Sequence, residues 1–318
     1  MKRIFFIGAM LYSGSLLAQP IKLSGTLPSA SGKSLELSNL NEQKWAVKAD
    51  SSGKFNQSFS DIEKGYYSLS GVGAVYLAPG FDLNITKEKD KILFRGKGNI
   101  ENNLIVTLNN NIRQMSEEVK EGKMNMVPFP EFQKKMENWK QQQYLLVSKT
   151  KTKDAAFIAH RRGDIDYAAR NIVREYTYVY GVDMKKRDNF FALMQKMAGN
   201  FDRAKLDSAR NEMEVKKLTR AERDAIDSIN HIGTSMNDEL LFKASGIYRK
   251  WMDQEIGTLI YKSKYRDDFN KGAKSEAIQS KVVDNEISNA FIREYWQYDI
   301  ASIALKMSEN IAEADSIY

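Results

Sequence analysis

Residues 92–108 read ILFRGKGNIENNLIVTL and contain the point at which the hydrophobic period of the sequence changes. Residues 92–94 form a short apolar run typical of a β-strand, and two glycines then flank Lys97. Asn99, a residue type favoured at helix N-caps, follows the second glycine. Apolar residues then recur at the spacing of one helix face: Ile100, Leu104, Ile105 and Leu108. The chain is therefore predicted to pass here from a β domain into a helical domain.

The part of the chain before this point alternates short runs with turn residues, as at 28–32 and 50–53. The predicted strands are residues 21–23, 35–37, 44–47, 54–56, 66–69, 74–77, 81–85 and 92–94. Strands at such spacing, without helices between them, are typical of an antiparallel sandwich or barrel. We therefore predict an antiparallel β-sandwich or barrel over residues 19–98.

The part after this point is predicted to be an irregular helical bundle over residues 99–318, which makes the fold class α+β. Pro130 suits the first turn of a second helix, where a missing N–H costs little. Helix interruptions are predicted near residues 149–153, 181–182, 218–219 and 270–272. One apolar stripe is predicted for a helix that packs on the bundle: Leu240, Ala244, Ile247, Tyr248 and Trp251.

Residues 1–18 have the composition of a secretory signal peptide. A charged start precedes an apolar run at residues 4–11, and Ala18 offers a small residue for cleavage. This run is shorter than the roughly 20 residues that span a bilayer. A lipoprotein anchor would need a cysteine in place of Gln19. We therefore expect an exported periplasmic protein with no membrane span and no lipid anchor.

The sequence contains no cysteine, so it offers no disulfide, thiol nucleophile or thiolate metal ligand. Lys and Arg number 48 against 41 Asp and Glu, and loss of Lys2 and Arg3 with the signal peptide leaves a net charge of +5. Nucleic-acid-binding proteins usually show a basic stripe or a recognisable module, and we identify neither. Together with the predicted export, this indicates no nucleic-acid partner.

Motifs for cofactors and catalysis are weak. Gly32-Lys33-Ser34 resembles the end of a phosphate-binding loop, but Leu27 stands where that loop needs glycine. The only histidines, His160 and His231, lie far apart without a metal-ligand spacing around them. No nucleophile-elbow sequence is present. Carboxylates are abundant, so a glycan-active hydrolase that uses a carboxylate pair is the catalytic alternative. We predict no cofactor and no metal.

A first candidate interaction surface lies on the helix predicted around residues 164–180. The helical period places four residues on one face: Tyr167, Arg170, Arg174 and Tyr178. Tyrosine and arginine are enriched at protein interfaces, which makes a docking face one interpretation. The preferred interpretation is a second layer of the bundle that covers this side of the helix.

A second candidate surface lies on residues 287–307, which are predicted to form one helix with apolar residues nearly all round. One stripe is Ile287, Phe291, Tyr298, Ala301 and Leu305. The other is Ile292, Trp296, Ile300, Ile303 and Met307. A helix of this kind is normally buried on more than one side, so it is predicted either as the central helix of the bundle or as a docking surface through Ile292, Trp296 and Ile303.

Several local patterns together resemble one known family. They are DSSGKF at residues 50–55, VYLAPGFDL at 75–83, FRGKGN at 94–99 and ENNL at 101–104. In combination they resemble the N-terminal region of TlpA-type, thioredoxin-like thiol-disulfide oxidoreductases of Gram-negative envelopes. The segments 157–180, 240–261 and 290–305 are also similar to the helical spacer of that family. The resemblance implies a small β domain, a helical spacer and then a thioredoxin-like domain with a Cys-x-x-Cys motif.

The sequence departs from this pattern because it contains no cysteine, and no thioredoxin-like domain is expected within residues 1–318. No catalytic residue is carried over, and no redox activity is expected of this chain. The resemblance implies a non-catalytic module that binds a protein partner or an adjoining thioredoxin-like domain, or else a truncated oxidoreductase. A glycan or peptide ligand on the β domain, stacked on Tyr66, Tyr67 and Tyr76, is a further hypothesis.

Overall fold

The structure, a computed structural model, describes residues 19–89, 91–197 and 202–307. The predicted signal peptide and the residues after 307 lie outside this described part. Contacts divide the chain into two compact units with their boundary between Asn102 and Asn103, a few residues past the predicted one. The first unit contains the strands and the second is helical, which confirms the predicted α+β class.

All the predicted strands are present within the described residues. They are β1 Ile21–Thr26, β2 Ser34–Ser38, β3 Lys44–Lys48, β4 Lys54–Phe59, β5 Gly65–Leu69, β6 Gly73–Leu77, β7 Asp82–Glu88 and β8 Lys91–Lys97. They form two sheets in the orders β4-β1-β7-β8 and β3-β2-β5-β6, as in the sandwich alternative. One pairing differs from the antiparallel expectation, because β1 runs parallel to β7 with Lys22 opposite Asp82.

The core of the first unit follows from the two-residue period of its strands. Along β1, Ile21 and Leu23 are buried while the residues after them face outward or are half-buried. Gly25 has no side chain because β7 leaves no room for one. A Cβ at this position would lie 1.9 Å from the carbonyl oxygen of Ile85. The glycine therefore permits the close approach of β1 to β7.

The helices are α1 Asn99–Lys120, α2 Phe129–Ser148, α3 Ala155–Val179, α4 Met184–Lys196, α5 Arg203–Met213, α6 Arg220–His231, α7 Glu239–Ala244, α8 Gly246–Leu259, α9 Ser263–Asn270, α10 Ser275–Glu286 and α11 Ala290–Met307. The predicted interruptions coincide with breaks between these elements. Pro130 lies in the first turn of α2 as expected. No helix in the described part of the chain is both long enough and apolar enough to cross a membrane.

Asn102 completes the edge of a sheet within the first unit. Its side-chain Oδ1 accepts from the backbone N–H of Tyr76 at 2.8 Å, and its Nδ2 donates to the carbonyl oxygens of Tyr76 and Gly98, each at 2.9 Å. Tyr76 belongs to β6, an edge strand. The buried amide thus takes the place of a further strand and satisfies backbone groups that would otherwise lose their partners.

Two predicted helices are divided by capping residues. Ser245 separates α7 from α8, and its Oγ accepts from the backbone N–H of Tyr248 at 3.0 Å. Leu240 is exposed, so the predicted apolar stripe does not run through both helices. In the same way, α10 ends before Ile287 and Asn289 caps α11. Ser and Asn favour such positions because their short side chains bond free N–H groups at a helix start.

The most deeply buried helix of the second unit is α3, which contacts α2, α6, α7 and α8. The ring of Tyr176 stacks on Phe132 with centroids 3.9 Å apart, and its hydroxyl donates to the carbonyl oxygen of Val127. Arg161 and Asp164 form a buried ion pair at 2.7 Å. Because α3 is covered on several sides, α3 rather than the helix at residues 290–307 is the central helix of the bundle.

Candidate binding groove

The first predicted interaction surface does not form one exposed face. Tyr167 and Arg174 are buried, Arg170 is half-buried, and Tyr178 alone is largely exposed, at 74%. Neighbouring helices cover the side of α3 on which these residues lie. A second bundle layer, rather than a docking face, therefore describes Tyr167 and Arg174.

Arg174 belongs to a buried cluster of charges. Its Nη2 donates to Oε2 of Glu255 at 2.8 Å, and the other oxygen of that carboxylate lies 2.9 Å from Nε2 of His231. Lys262 lies at the margin of the cluster, 3.9 Å from the same oxygen. These contacts join α3 to α6 and α8. The guanidinium of Arg174 is therefore a structural group rather than one available to a partner.

Arg170 also has a structural role, although it borders a cavity. Its guanidinium donates to the carbonyl oxygens of Ile229 and Ile232 at the C-terminal end of α6. A cation at this end complements the helix dipole. The cavity beside it, about 360 Å³ in volume, lies between α2, α3 and α6. At its rim, Lys140 pairs with Asp166 at 3.2 Å.

The second predicted surface is also largely covered. Ile292 and Trp296 are buried, and the indole of Trp296 lies edge-on to Phe242 with centroids 6.3 Å apart. Ile303 remains exposed. Ile292 and Trp296 are four residues apart, so they share one side of α11, and this side is buried. Ile292 and Trp296 are therefore packing residues rather than a docking surface.

The tyrosines considered as a ligand platform on the β domain are mostly internal. Tyr67 and Tyr76 are buried and Tyr66 is half-buried. The hydroxyl of Tyr67 donates to the carbonyl oxygen of Glu63 at 2.8 Å, and burial raises its pKa to about 12. Tyr66 and Tyr76 contact each other with ring centroids 4.8 Å apart. Two of the rings are therefore packing groups rather than exposed stacking surfaces.

An open groove of about 800 Å³ lies in the second unit, between the end of α3, the pair α4 and α5, and the start of α6. Its volume falls in the range of ordinary ligand sites. The residues of its wall that matter most are Tyr178, Tyr180, Phe190, Glu214, Lys216 and Arg223. The groove thus includes the exposed member of the predicted Tyr/Arg set.

The base of the groove is built by backbone contacts around Gly181. The carbonyl oxygen of Gly181 accepts from the N–H groups of Val215 and Lys216, at 2.8 and 3.1 Å. A short antiparallel bridge pairs Val182 with Glu214. Gly181 has φ +71°, and a Cβ there would lie 2.1 Å from the carbonyl oxygen of Lys216. Glycine is therefore required both for this backbone conformation and for the close approach of the two segments.

The charges of the groove are partly neutralised. Nε of Arg210 lies 3.1 Å from Oε1 of Glu214, and Nζ of Lys217 lies 3.2 Å from Oε2. The hydrogen bond from Arg210, supported by Lys217, holds the pKa of Glu214 below its usual value despite partial burial. Glu214 is therefore ionised and unsuited to act as a general acid. Lys216 has no ion-pair partner among the residues that the structure describes.

Acid chemistry and metal binding find little support at this site. Partial burial raises the pKa of Asp253 on α8, and the carboxylate of Asp299 on α11 raises it further, but neither residue lines the groove. Within the described ranges, no group of three or more His, Asp or Glu side chains is placed to hold a metal ion. The wall of the groove carries aromatic rings, cations and, besides Glu214, the carboxylates of Asp224 and Asp227.

Sequence reasoning identified Tyr178 but not the groove around it. Gly181 and Val182 were predicted only as a helix interruption, and residues 218–219 as another. A glycine followed by a β-branched residue, then an aspartate that caps the next helix, is the local signal that could have marked the site.

Comparison with protein-family models, curated proteins and solved structures gave no match.

Proposed function

We propose that this protein is an exported, non-catalytic binding module whose helical unit receives a segment of a partner protein in the groove at Tyr178. The observation that carries the proposal is the groove itself, because it combines a ligand-sized volume with an exposed aromatic ring. Tyrosine supplies a large contact area with few rotatable bonds and is enriched where proteins bind one another.

The chemistry of the wall indicates the kind of segment. Tyr178, Tyr180 and Phe190 offer ring faces and edges to an apolar or aromatic side chain. Lys216 and Arg223 offer cations to a carboxylate, and Glu214 is already neutralised by its own partners, although Asp224 and Asp227 also line the wall. The groove is open to solvent along one side, which suits an extended peptide better than a small enclosed molecule. The proposed ligand is thus a peptide segment with an aromatic side chain next to an acidic one.

The predicted export and the family resemblance suggest where the protein acts and which class of partner it binds. Residues 1–18 support delivery to the periplasm by their signal-like composition. The resemblance to the non-catalytic part of TlpA-type oxidoreductases suggests a thioredoxin-like domain as one class of partner. Any thiol-disulfide chemistry would then reside in that partner, since this chain has no thiol.

The proposal is tested by selecting peptides from a random phage-displayed library on the purified protein. The enriched peptides are synthesised with a fluorescent label, and their affinity is measured by fluorescence anisotropy. We expect Tyr178→Ala to weaken binding by about tenfold, as for a central interface aromatic. The matched control is Tyr298→Ala, because Tyr298 is 65% exposed on α11 and does not line the groove.

Two outcomes would contradict the proposal. Either the library yields no peptide that binds above a blank surface, or Tyr178→Ala and Tyr298→Ala weaken binding to the same extent. The glycan-active hydrolase is the catalytic alternative, and it requires hydrolysis of a glycan substrate by the wild-type protein.

A further inference from the structure

The positive charge of the chain is concentrated in one segment. Residues 184–220 contain ten Lys and Arg against five Asp and Glu, a net charge of +5. The chain from Gln19 onward has 46 Lys and Arg against 41 Asp and Glu, which is also +5. The remainder is therefore neutral overall. No basic stripe is identified in the sequence, but its surplus of positive charge lies within this segment.

The same segment exposes apolar side chains. None of the residues of α4 is buried, and α5 buries only Leu206. Phe191 is 51% exposed and Met194 is 44% exposed, both on α4. A helix of a soluble bundle normally hides its apolar side chains under a neighbouring element. In the described part of the chain, the pair α4 and α5 leaves them in contact with solvent.

Within the described residues, the three lysines of α4 form no ion pair, whereas its arginine does. Lys185, Lys186 and Lys196 are exposed and have no ion-pair partner among the described residues. Arg187 differs, because its guanidinium donates to the carbonyl oxygen of Lys120 at 3.2 Å. The lysines therefore project from the same helix as Phe191 and Met194, and their charge is available to an external anion.

We propose that α4 binds the surface of a lipid bilayer that carries anionic headgroups. Exposed Phe and Met can enter the boundary between headgroups and acyl chains, while lysines reach the phosphates beside them. The charge of the segment is complementary to such a surface. An acidic protein would need a shaped apolar surface to cover Phe191 and Met194, whereas a fluid bilayer adapts to any arrangement of them.

This inference does not depend on the groove as a peptide site, although the two lie side by side because Phe190 of α4 lines the groove. Lysines supply diffuse attraction to an anionic surface, and each aromatic or apolar side chain adds affinity through its buried area. Binding should therefore require both anionic lipid and the exposed apolar residues, and it should weaken as salt rises.

The test is co-sedimentation of the purified protein with vesicles of phosphatidylglycerol and phosphatidylcholine, compared with vesicles of phosphatidylcholine alone. We expect sedimentation with the anionic vesicles only. Phe191→Ser with Met194→Ser should reduce the partition coefficient on the order of tenfold, and Lys185→Glu with Lys186→Glu should reduce it at least as much. Circular dichroism confirms that each variant remains folded.

Control variants test whether vesicle binding depends on the position of the substituted residues or only on the loss of any apolar or positively charged side chain. Leu145→Ser removes an apolar residue exposed on α2, and Lys134→Glu with Lys151→Glu makes the same change in net charge elsewhere. These variants should sediment like the wild type. The proposal is overturned if anionic lipid gives no increase, if the controls lose as much binding, or if soluble polyglutamate binds the protein while vesicles do not, which would assign the surface to an acidic protein.

Discussion

The backbone N–H of Lys216 donates to the carbonyl oxygen of Gly181 at 3.1 Å. This contact holds together the two ends of the segment that contains α4 and α5. Residues before α4 and after α5 thereby become neighbours. The groove exists because of this closure, since its wall is drawn from both sides of it.

Gly181→Ala should damage the groove more than a comparable change at Gly233. Both glycines have positive φ, +71° and +70°, but nothing lies within 4 Å of a Cβ at Gly233. The left-handed conformation alone costs about 1–2 kcal/mol, so Gly233→Ala should lose that amount of unfolding free energy. Gly181→Ala should lose more, because its Cβ meets the backbone of Lys216. Urea unfolding of both variants gives the comparison, and equal losses would contradict the packing at Gly181.

Trp296→Ala should destabilise the fold rather than impair partner binding alone. The side chain is buried against Phe242, so truncation leaves a cavity and should cost about 3–5 kcal/mol. Ile303→Ala on the same helix should change the unfolding free energy by less than about 0.5 kcal/mol, because Ile303 is exposed. Thermal unfolding distinguishes them, and a fully stable Trp296→Ala would restore the docking surface predicted from the sequence.

The ion pair between Arg174 and Glu255 should behave as a buried pair. Arg174→Met leaves the carboxylate of Glu255 with weaker partners and should cost about 3 kcal/mol. The double variant Arg174→Met with Glu255→Leu should recover part of this loss, because no unpaired charge remains inside. Equal destabilisation in the single and double variants, measured by urea unfolding, would argue against a charge penalty.

Acid should loosen the base of the groove through Glu214. The folded-state pKa of this carboxyl lies below its usual 4.5, so its stabilising contact with Arg210 is fully present above about pH 4.5. That contribution is lost as the pH falls through the lower folded pKa. In Glu214→Gln, the unfolding free energy should therefore depend less on pH in this acid range than in the wild type. Urea unfolding across the range measures both, and identical acid profiles would exclude the contact as a source of stability.

The strands were predictable because their signals are local. A two-residue period and turn residues such as those at 50–53 operate within a few positions, and the same is true of Pro130 in α2. The sequence marks Asn102 only as part of a family-like pattern. Its role depends on Tyr76, far away along the chain, which no local pattern reveals.

The candidate site was predictable only in part, for a related reason. The helical period correctly places Tyr167 and Tyr178 on α3, but it does not say which neighbour covers each of them. Burial of Tyr167 beside Tyr248 and exposure of Tyr178 follow from tertiary packing. The bridge between Val182 and Glu214, which forms the groove, is likewise a long-range contact that composition does not encode.

The most direct test of the binding function locates a bound peptide by hydrogen exchange. A peptide selected on the purified protein is added in excess, and amide exchange is compared with and without it by mass spectrometry. We predict slower exchange in residues 178–183 and 214–218, which contribute to the groove, and no change in residues 290–307. Protection confined to other segments, or no protection despite saturated binding, would contradict the groove as the binding site.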